Sequence, residues 1–250
     1  MQYTDNSCLF AVMSTAEFRE RKEEFAYQKE MLHSLGSIRY CKAELFKECI
    51  LGTIRLPQKN EQKKAQLSFG FYLTGRKVFF VEDEGKMKAW IEKQTEMFQE
   101  VDTPKQLLLR IIEHMIEEDT LYLSHMESEL DKLEEKISGG AGRNNNFFTS
   151  LTKHRQKLSE FNIYYEQLID IAELFSTCDF YQSEQDTQGW DRFMHRVEQL
   201  QNHVHLLREN VLQIRELYQS MQDARQNKIM AVITIVTTIF LPLTLITGWY

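Results

Sequence analysis

The sequence predicts an α+β protein: an N-terminal α/β sheet domain, a long helical hairpin, and a long stalk helix that continues into a transmembrane helix. Three observations carry this. Short runs rich in β-branched and aromatic residues cluster in the first hundred positions. Apolar residues from Phe193 to Met221 recur in steps of four and three. Ile229 to Tyr250 contains no charged residue, and about 20 such residues are needed to cross a bilayer.

The expected boundaries are 1–102 for a cytoplasmic α/β domain, 103–182 for an acidic helical hairpin, 183–228 for the stalk and 229–250 for a first transmembrane helix. In the first domain, 49–54, 67–73 and 78–81 read as strands, with Thr74-Gly75-Arg76 turning between the last two. Helices are expected over 15–34 and 84–98. Asp102-Thr103-Pro104 then starts a long helix, because Asp or Thr can cap and Pro suits the first turn. Leu108, Ile112, Met115, Tyr122, Met126, Leu130, Leu133 and Ile137 place one apolar face on it, and Gly139-Gly140-Ala141-Gly142 ends it.

A second long helix carries Leu151, Leu158, Phe161, Tyr165, Leu168, Ala172 and Phe175, and the two are expected to form an antiparallel hairpin with acidic outer faces. The third helix holds the heptad seam Phe193, Val197, Leu200, Val204, Leu207, Val211, Ile214, Tyr218 and Met221. With no Gly or Pro between 190 and 241, seam and span read as one helix, about 78 Å at ~1.5 Å per residue.

Composition excludes several function classes. A formal net charge of −7 argues against a nucleic-acid surface, which needs concentrated Lys and Arg. Cys8, Cys41, Cys49 and Cys178 have no paired spacing, so neither a disulfide framework nor a zinc knuckle is expected and a reducing cytosol fits. No phosphate-cradling loop, GxSxG or HExxH occurs, and the chain reads as no enzyme. His203 and His205 point to different helix faces, while His114, His125, His154 and His195 read as surface residues. The acids Glu117, Glu118, Asp119, Glu127, Glu129, Asp131, Glu134 and Glu135 are oxygen donors of the kind hard cations prefer, but they read more simply as a solvated face beside Lys132 and Lys136.

The span is threonine-rich, with Thr234, Thr237, Thr238, Thr244 and Thr247, and contains Pro242 and Gly248, a composition suited to packing against other helices. Arg225 and Lys228 flank it on the side that the positive-inside tendency assigns to the cytoplasm, so a cell (inner or plasma) membrane location with a cytoplasmic N-terminal bulk is expected.

Asn227-Lys228-Ile229-Met230, followed by Thr237-Thr238-Ile239-Phe240-Leu241-Pro242-Leu243-Thr244-Leu245-Ile246-Thr247-Gly248-Trp249-Tyr250, resembles the end of the first membrane helix in the CorA magnesium-transporter family. There the motif Gly-Met-Asn follows, and this sequence stops just before it, so a subunit truncated ahead of its second span is expected. The resemblance implies a homo-oligomer, a pentamer, around one pore, with Mg²⁺ as the transported and regulatory ion and Co²⁺ or Ni²⁺ as further cargo. The pore face it implies is Asn227, Met230, Ile233, Thr237, Leu241, Thr244, Gly248 and Tyr250. Asn227 would form an amide ring at the cytoplasmic end, and Met230, Ile233 and Leu241 apolar constrictions. The regulatory metal it implies would sit at Asp191, with Asp186, Glu184 or Asp179 just before it. Two alternatives stay open: a zinc transporter of the same fold, and a non-conducting membrane-anchored coiled-coil scaffold or sensor. The Phe240-Leu241-Pro242-Leu243-Thr244 context favours magnesium over zinc.

Overall fold

The computed structural model describes residues 9–59, 67–94, 101–138, 146–178 and 184–249. Its elements are β1 (Phe10–Met13), α1 (Thr15–Glu20), α2 (Gln28–Leu35), β2 (Lys42–Leu45), β3 (Ile50–Arg55), β4 (Ser68–Leu73), β5 (Val78–Val81), α3 (Lys86–Lys93), α4 (Pro104–Met115), α5 (Asp119–Ser138), α6 (Asn146–Thr177) and α7 (Glu184–Trp249). Contacts divide the chain into two compact units, Met1–Ser124 with Lys157–His205 and His125–Gln156 with Leu206–Tyr250.

The first unit holds a five-stranded sheet of order β1-β5-β4-β3-β2. The three strands expected from the sequence are its centre, paired antiparallel. The sequence reading lacked β1, which pairs parallel to β5, and β2, the opposite edge. The β4–β5 turn forms at Thr74 as expected; the Thr74 hydroxyl accepts from the Arg76 and Lys77 amides, and it donates to the Lys77 carbonyl at 2.8 Å.

One helix was expected over 15–34, and two form. Ser14 and Glu17 make a capping box at the start of α1. The chain then leaves the helix, and Phe25 packs tilted against Phe18 and edge-on to Tyr72, with ring centroids 4.4 and 5.1 Å away. Gln28, itself buried, donates from Nε2 to the Phe18 and Arg19 carbonyls at 2.6 and 3.2 Å, satisfying groups that a continued helix would have used. Tyr27 is left-handed, with φ 57°, where the chain re-enters α2.

Met13, Phe18, Phe25, Met31, Cys49, Leu51, Tyr72 and Val81 form a core between α1, α2 and the sheet. A further aromatic series runs from the sheet to the helices. Phe71 lies 6.4 Å from Phe175, Phe175 stacks on Trp190 at 4.3 Å, and Trp190 meets Phe193 edge-on at 5.8 Å. Gly52 allows the sheet to pack so closely, since a Cβ there would fall 2.2 Å from the Phe71 ring and 2.5 Å from the Lys42 carbonyl.

Thr103 caps α4, with Pro104 in its first turn, as expected. The long helix predicted from there is instead broken at 116–118, between α4 and α5. The physical reason is Asp119, which is 1 % exposed and turned inward. It accepts from the Tyr165 hydroxyl at 2.9 Å and pairs with Lys59, whose ammonium also donates to the Met115 carbonyl at the end of α4. Burial pushes the Asp119 carboxyl above its ordinary range even though Lys59 and Tyr165 oppose the shift. Tyr122 stacks on Phe161 while Asp119 meets Tyr165, so α5 and α6 run antiparallel in this unit, as the sequence suggested.

Lys59→Met leaves the Asp119 carboxylate buried with one hydroxyl for company. Because Lys59 is partly exposed, the expected loss is about 1–3 kcal/mol, below the usual 3–5 for breaking a buried pair. Hydrogen-exchange protection at the start of α5 measures it, and unchanged protection there would contradict this role.

The apolar faces read from the sequence are buried in α6, where Leu151, Leu158, Phe161, Tyr165, Leu168, Ala172 and Phe175 are all at most 5 % exposed. The heptad residues of α7 are buried from Phe193 to Ile214. Gly139–Gly142 lies outside the described residues. In the second unit, Tyr218 sits between Phe147 and Phe148, at 4.9 and 4.8 Å. His154 departs from the expected surface histidine. Its side chain is 17 % exposed, and burial holds the imidazole below its usual range against the pull of Glu129 at 3.9 Å.

Candidate functional site

The last part of α7 is where chemistry and exposure disagree most. From Ile229 to Trp249 every residue is exposed, including Leu241 at 69 % and Leu245 at 71 %. A helix apolar on all sides is stable only when lipid or other helices cover it. This segment is long and apolar enough to cross a membrane.

Its only side-chain polar groups between Met230 and Trp249 are threonine hydroxyls, and each bonds back to its own helix. Thr234 donates to the Met230 carbonyl at 2.9 Å, Thr237 to Ile233 at 2.7 Å and Thr238 to Thr234 at 2.7 Å. Thr244 and Thr247 bond to Phe240 and Leu243, both at 3.0 Å. A hydroxyl that gives its proton to the backbone keeps oxygen lone pairs available as acceptors. Pro242 lies inside the helix and brings no N–H for the Thr238 carbonyl.

Because α7 is continuous, the expected pore residues can be placed around it. At ~100° per residue, Asn227, Met230, Ile233, Thr237, Leu241, Thr244 and Gly248 fall within a sector of about 120°. Tyr250 lies outside the described residues. The stripe therefore combines an amide, three large apolar side chains, two hydroxyls and a glycine.

Of the four carboxylates expected to hold a regulatory metal, Asp186 and Asp191 are the two whose side chains are among the described residues. Asp179 lies outside the described residues, and Glu184 is the first residue of α7. Asp186 and Asp191 are five residues apart, hence ~140° around the helix. Asp186 is 2 % exposed and accepts from the Thr103 hydroxyl at 3.4 Å. It lines an open cleft whose other charged residues include Arg110, Arg192, Arg196 and Glu113, so local guanidinium charge counters its attraction for a cation. Glu113 there is held above its usual range by burial, with Arg110, Arg196 and Arg192 opposing. Asp191 is half-buried. Among the described residues no three His, Cys, Asp or Glu side chains converge as a metal site. The acids 117–119 do not act as a cluster either, since Asp119 is buried against Lys59 and Glu117 bonds to His114 at 2.7 Å.

The buried thiols are poor candidates for reactivity. Burial pushes Cys41 up to about 11, although the Arg55 backbone and charge oppose it. The sequence reading missed the Lys59–Asp119–Tyr165 network, which joins residues 106 positions apart. It also missed that Tyr218 and Met221, read as seam, border an open groove, for the heptad steps continue through them unchanged.

Comparison with known proteins agrees with this architecture. The family described as CorA-like Mg2+ transporter protein matches residues 29–250. The fold is similar to the complete structure of the CorA magnesium transporter from Methanocaldococcus jannaschii, with TM-score 0.79 and 18% identity over 96% of this chain and 78% of that one. It is similar to the full-length CmaX protein, with TM-score 0.78 and 17% identity over 96% and 76%. The ZntB cytoplasmic domain from Vibrio parahaemolyticus RIMD 2210633 is also similar, with TM-score 0.68 and 12% identity over 86% and 88%. No curated protein matches the chain in sequence. Sheet domain, long helices and C-terminal apolar helix thus carry the fold of divalent-cation transporters, and with the match running from residue 29 through the apolar segment, the chain belongs to the CorA-like Mg²⁺ transporter family.

Proposed function

We propose that this chain is one subunit of a homo-oligomeric, pentameric channel that passes Mg²⁺ into the cell down its electrochemical gradient. The observation that carries this reading is the combination of family membership with an apolar helix whose polar side chains from Met230 to Gly248 are threonine hydroxyls bonded back to their own backbone. Mg²⁺ sheds its water reluctantly, and the protons of its hydration shell point outward. Neutral amide and hydroxyl oxygens can accept from that shell without trapping the ion, while Met230, Ile233 and Leu241 supply constrictions that close by dewetting. An inside-negative potential favours movement of a divalent ion by about 4.6 kcal/mol per 100 mV, so no chemical energy source is required. Arg225 and Lys228 beside the span support a cytoplasmic location for the preceding residues.

The fold shared with the ZntB domain keeps a zinc-transport reading in view. Against it, residues 227–250 contain no Cys or His, the ligands Zn²⁺ prefers. Co²⁺ and Ni²⁺ are possible further cargo under the Mg²⁺ reading. We assign regulation by cytoplasmic Mg²⁺ to Asp191, which needs a neighbouring subunit to complete its ligand set. Asp179, Glu184 and Asp186 are the secondary candidates.

The test is flux. The full-length protein carrying this chain, reconstituted in vesicles with a trapped indicator, should pass Mg²⁺ on imposition of an inside-negative potential. Zn²⁺ flux without Mg²⁺ flux would favour the second reading, and no flux of either would favour a non-conducting scaffold. In the same vesicles, Asp191→Asn should weaken inhibition by cytoplasmic-side Mg²⁺. Unchanged inhibition removes Asp191 from the regulatory site.

A further inference from the structure

In the second unit a groove of about 330 Å³ opens beside α7, immediately before the apolar segment. Its wall is Ile137 of α5 with Tyr218, Met221 and Ala224 of α7, and Arg225 and Lys228 line the end nearest the span. Ile137 is 1 % exposed, and the Tyr218 ring is packed against Phe147 and Phe148. Among the described residues no carboxylate lines the groove, and neither Arg225 nor Lys228 has an ion-pair partner.

Position around the helix sets which way this surface faces. At ~100° per residue, the groove residues of α7 centre about 150° from the Asn227–Gly248 stripe, nearly on the opposite face. Asp223, the nearest acid on α7, falls within the stripe sector and away from the groove. Lys228 directly precedes Ile229, and Arg225 lies ~6 Å below it along the axis. Two unpaired cations at the start of a span, over an apolar trough, match a molecule with a negative head and a hydrocarbon tail.

We infer that this groove binds an anionic phospholipid of the cytoplasmic leaflet, its phosphate at Arg225 and Lys228 and part of an acyl chain against Ile137, Tyr218, Met221 and Ala224. The inference rests on the reading of α7 as membrane-spanning. The lipid would tie the hairpin helix α5 to the stalk at the membrane surface, so channel behaviour would depend on lipid charge.

Flotation of the full-length protein with phosphatidylcholine vesicles first tests insertion, and a protein that fails to float overturns the membrane reading itself. Spin-labelled phosphatidylglycerol and phosphatidylcholine are then compared in the floated protein for the motionally restricted fraction. Phosphatidylglycerol should be preferred, with roughly five-fold of the preference lost per neutralised cation in Arg225→Gln and Lys228→Gln. Met221→Glu, at an exposed position, should also abolish the preference by placing a carboxylate in the trough. Equal association of the two lipids in the unaltered protein overturns the proposal. A preference that survives Met221→Glu overturns the groove as its location.

Discussion

Trp190→Ala is expected to cost the first unit about 3–5 kcal/mol, the range for removing a large buried aromatic. Trp190 is 0 % exposed, stacked on Phe175 at 4.3 Å and 11°, and edge-on to Phe193. Phe175 in turn reaches Phe71 on β4, so the indole fills the space between the sheet and the start of α7. Its ring neighbours Phe175 and Phe193 are themselves buried and held in the same aromatic series, so they cannot fill the cavity it would leave. Among the described residues its buried Nε1 has no hydrogen-bond partner, an arrangement that itself costs ~1–3 kcal/mol. Trp190→Phe should therefore lose much less than Trp190→Ala, because the smaller ring removes the unsatisfied N–H along with some packing. Hydrogen-exchange protection of β3 and β4 amides in the detergent-solubilised protein reads both variants. Equal losses would show that the N–H has a partner after all, and no loss in the alanine variant would remove the aromatic series as the link between sheet and stalk.

Asn227→Leu should reduce Mg²⁺ flux at least about ten-fold, the equivalent of one charge-assisted hydrogen bond of ~1.5 kcal/mol. Asn227 begins the stripe that we propose lines the pore, and it is the stripe's only amide. Its carbonyl can accept from the water around the ion, whereas leucine would replace it with an apolar ring next to Met230. Repetition around an oligomer multiplies the loss. Asn227→Ser keeps an acceptor and should retain most of the flux. The readout is vesicle flux at fixed potential, and leucine and wild-type rates that coincide would remove Asn227 from the ion path.

The parts of this fold that could be read in advance are those fixed by local pattern. Val78–Val81 and Ser68–Leu73 are dense in β-formers, and the steps of four and three in α7 can bury one face only in a helix. β2 escaped because Lys42-Ala43-Glu44-Leu45 is a four-residue edge strand, partly exposed, and Lys, Ala and Glu are residue types depleted in strands. The breaks between α1 and α2 and between α4 and α5 are set by partners far along the chain. Gln28 satisfies the carbonyls of α1, and Asp119 turns inward to meet Lys59. No window of local residues contains that information. The stripe on α7 was named by resemblance alone; the continuous helix gives its residues from Asn227 to Gly248 one common sector, and their role in a pore is our proposal. The guanidinium surroundings of Asp186 were not, since Arg110 approaches it from a different helix.

The back-bonded threonines carry one more consequence. Between Thr234 and Thr247 every side-chain proton capable of hydrogen bonding is already given to a carbonyl of the same helix. A bundle of such helices would offer a passing solute acceptors and no donors. Chloride or phosphate, stripped of water in a narrow passage, needs N–H or O–H groups to replace its shell and would find none there. In the pore proposed above, the stretch from Thr234 to Thr247 would disfavour anions without a charged residue, because its hydroxyl protons are already given to its own backbone.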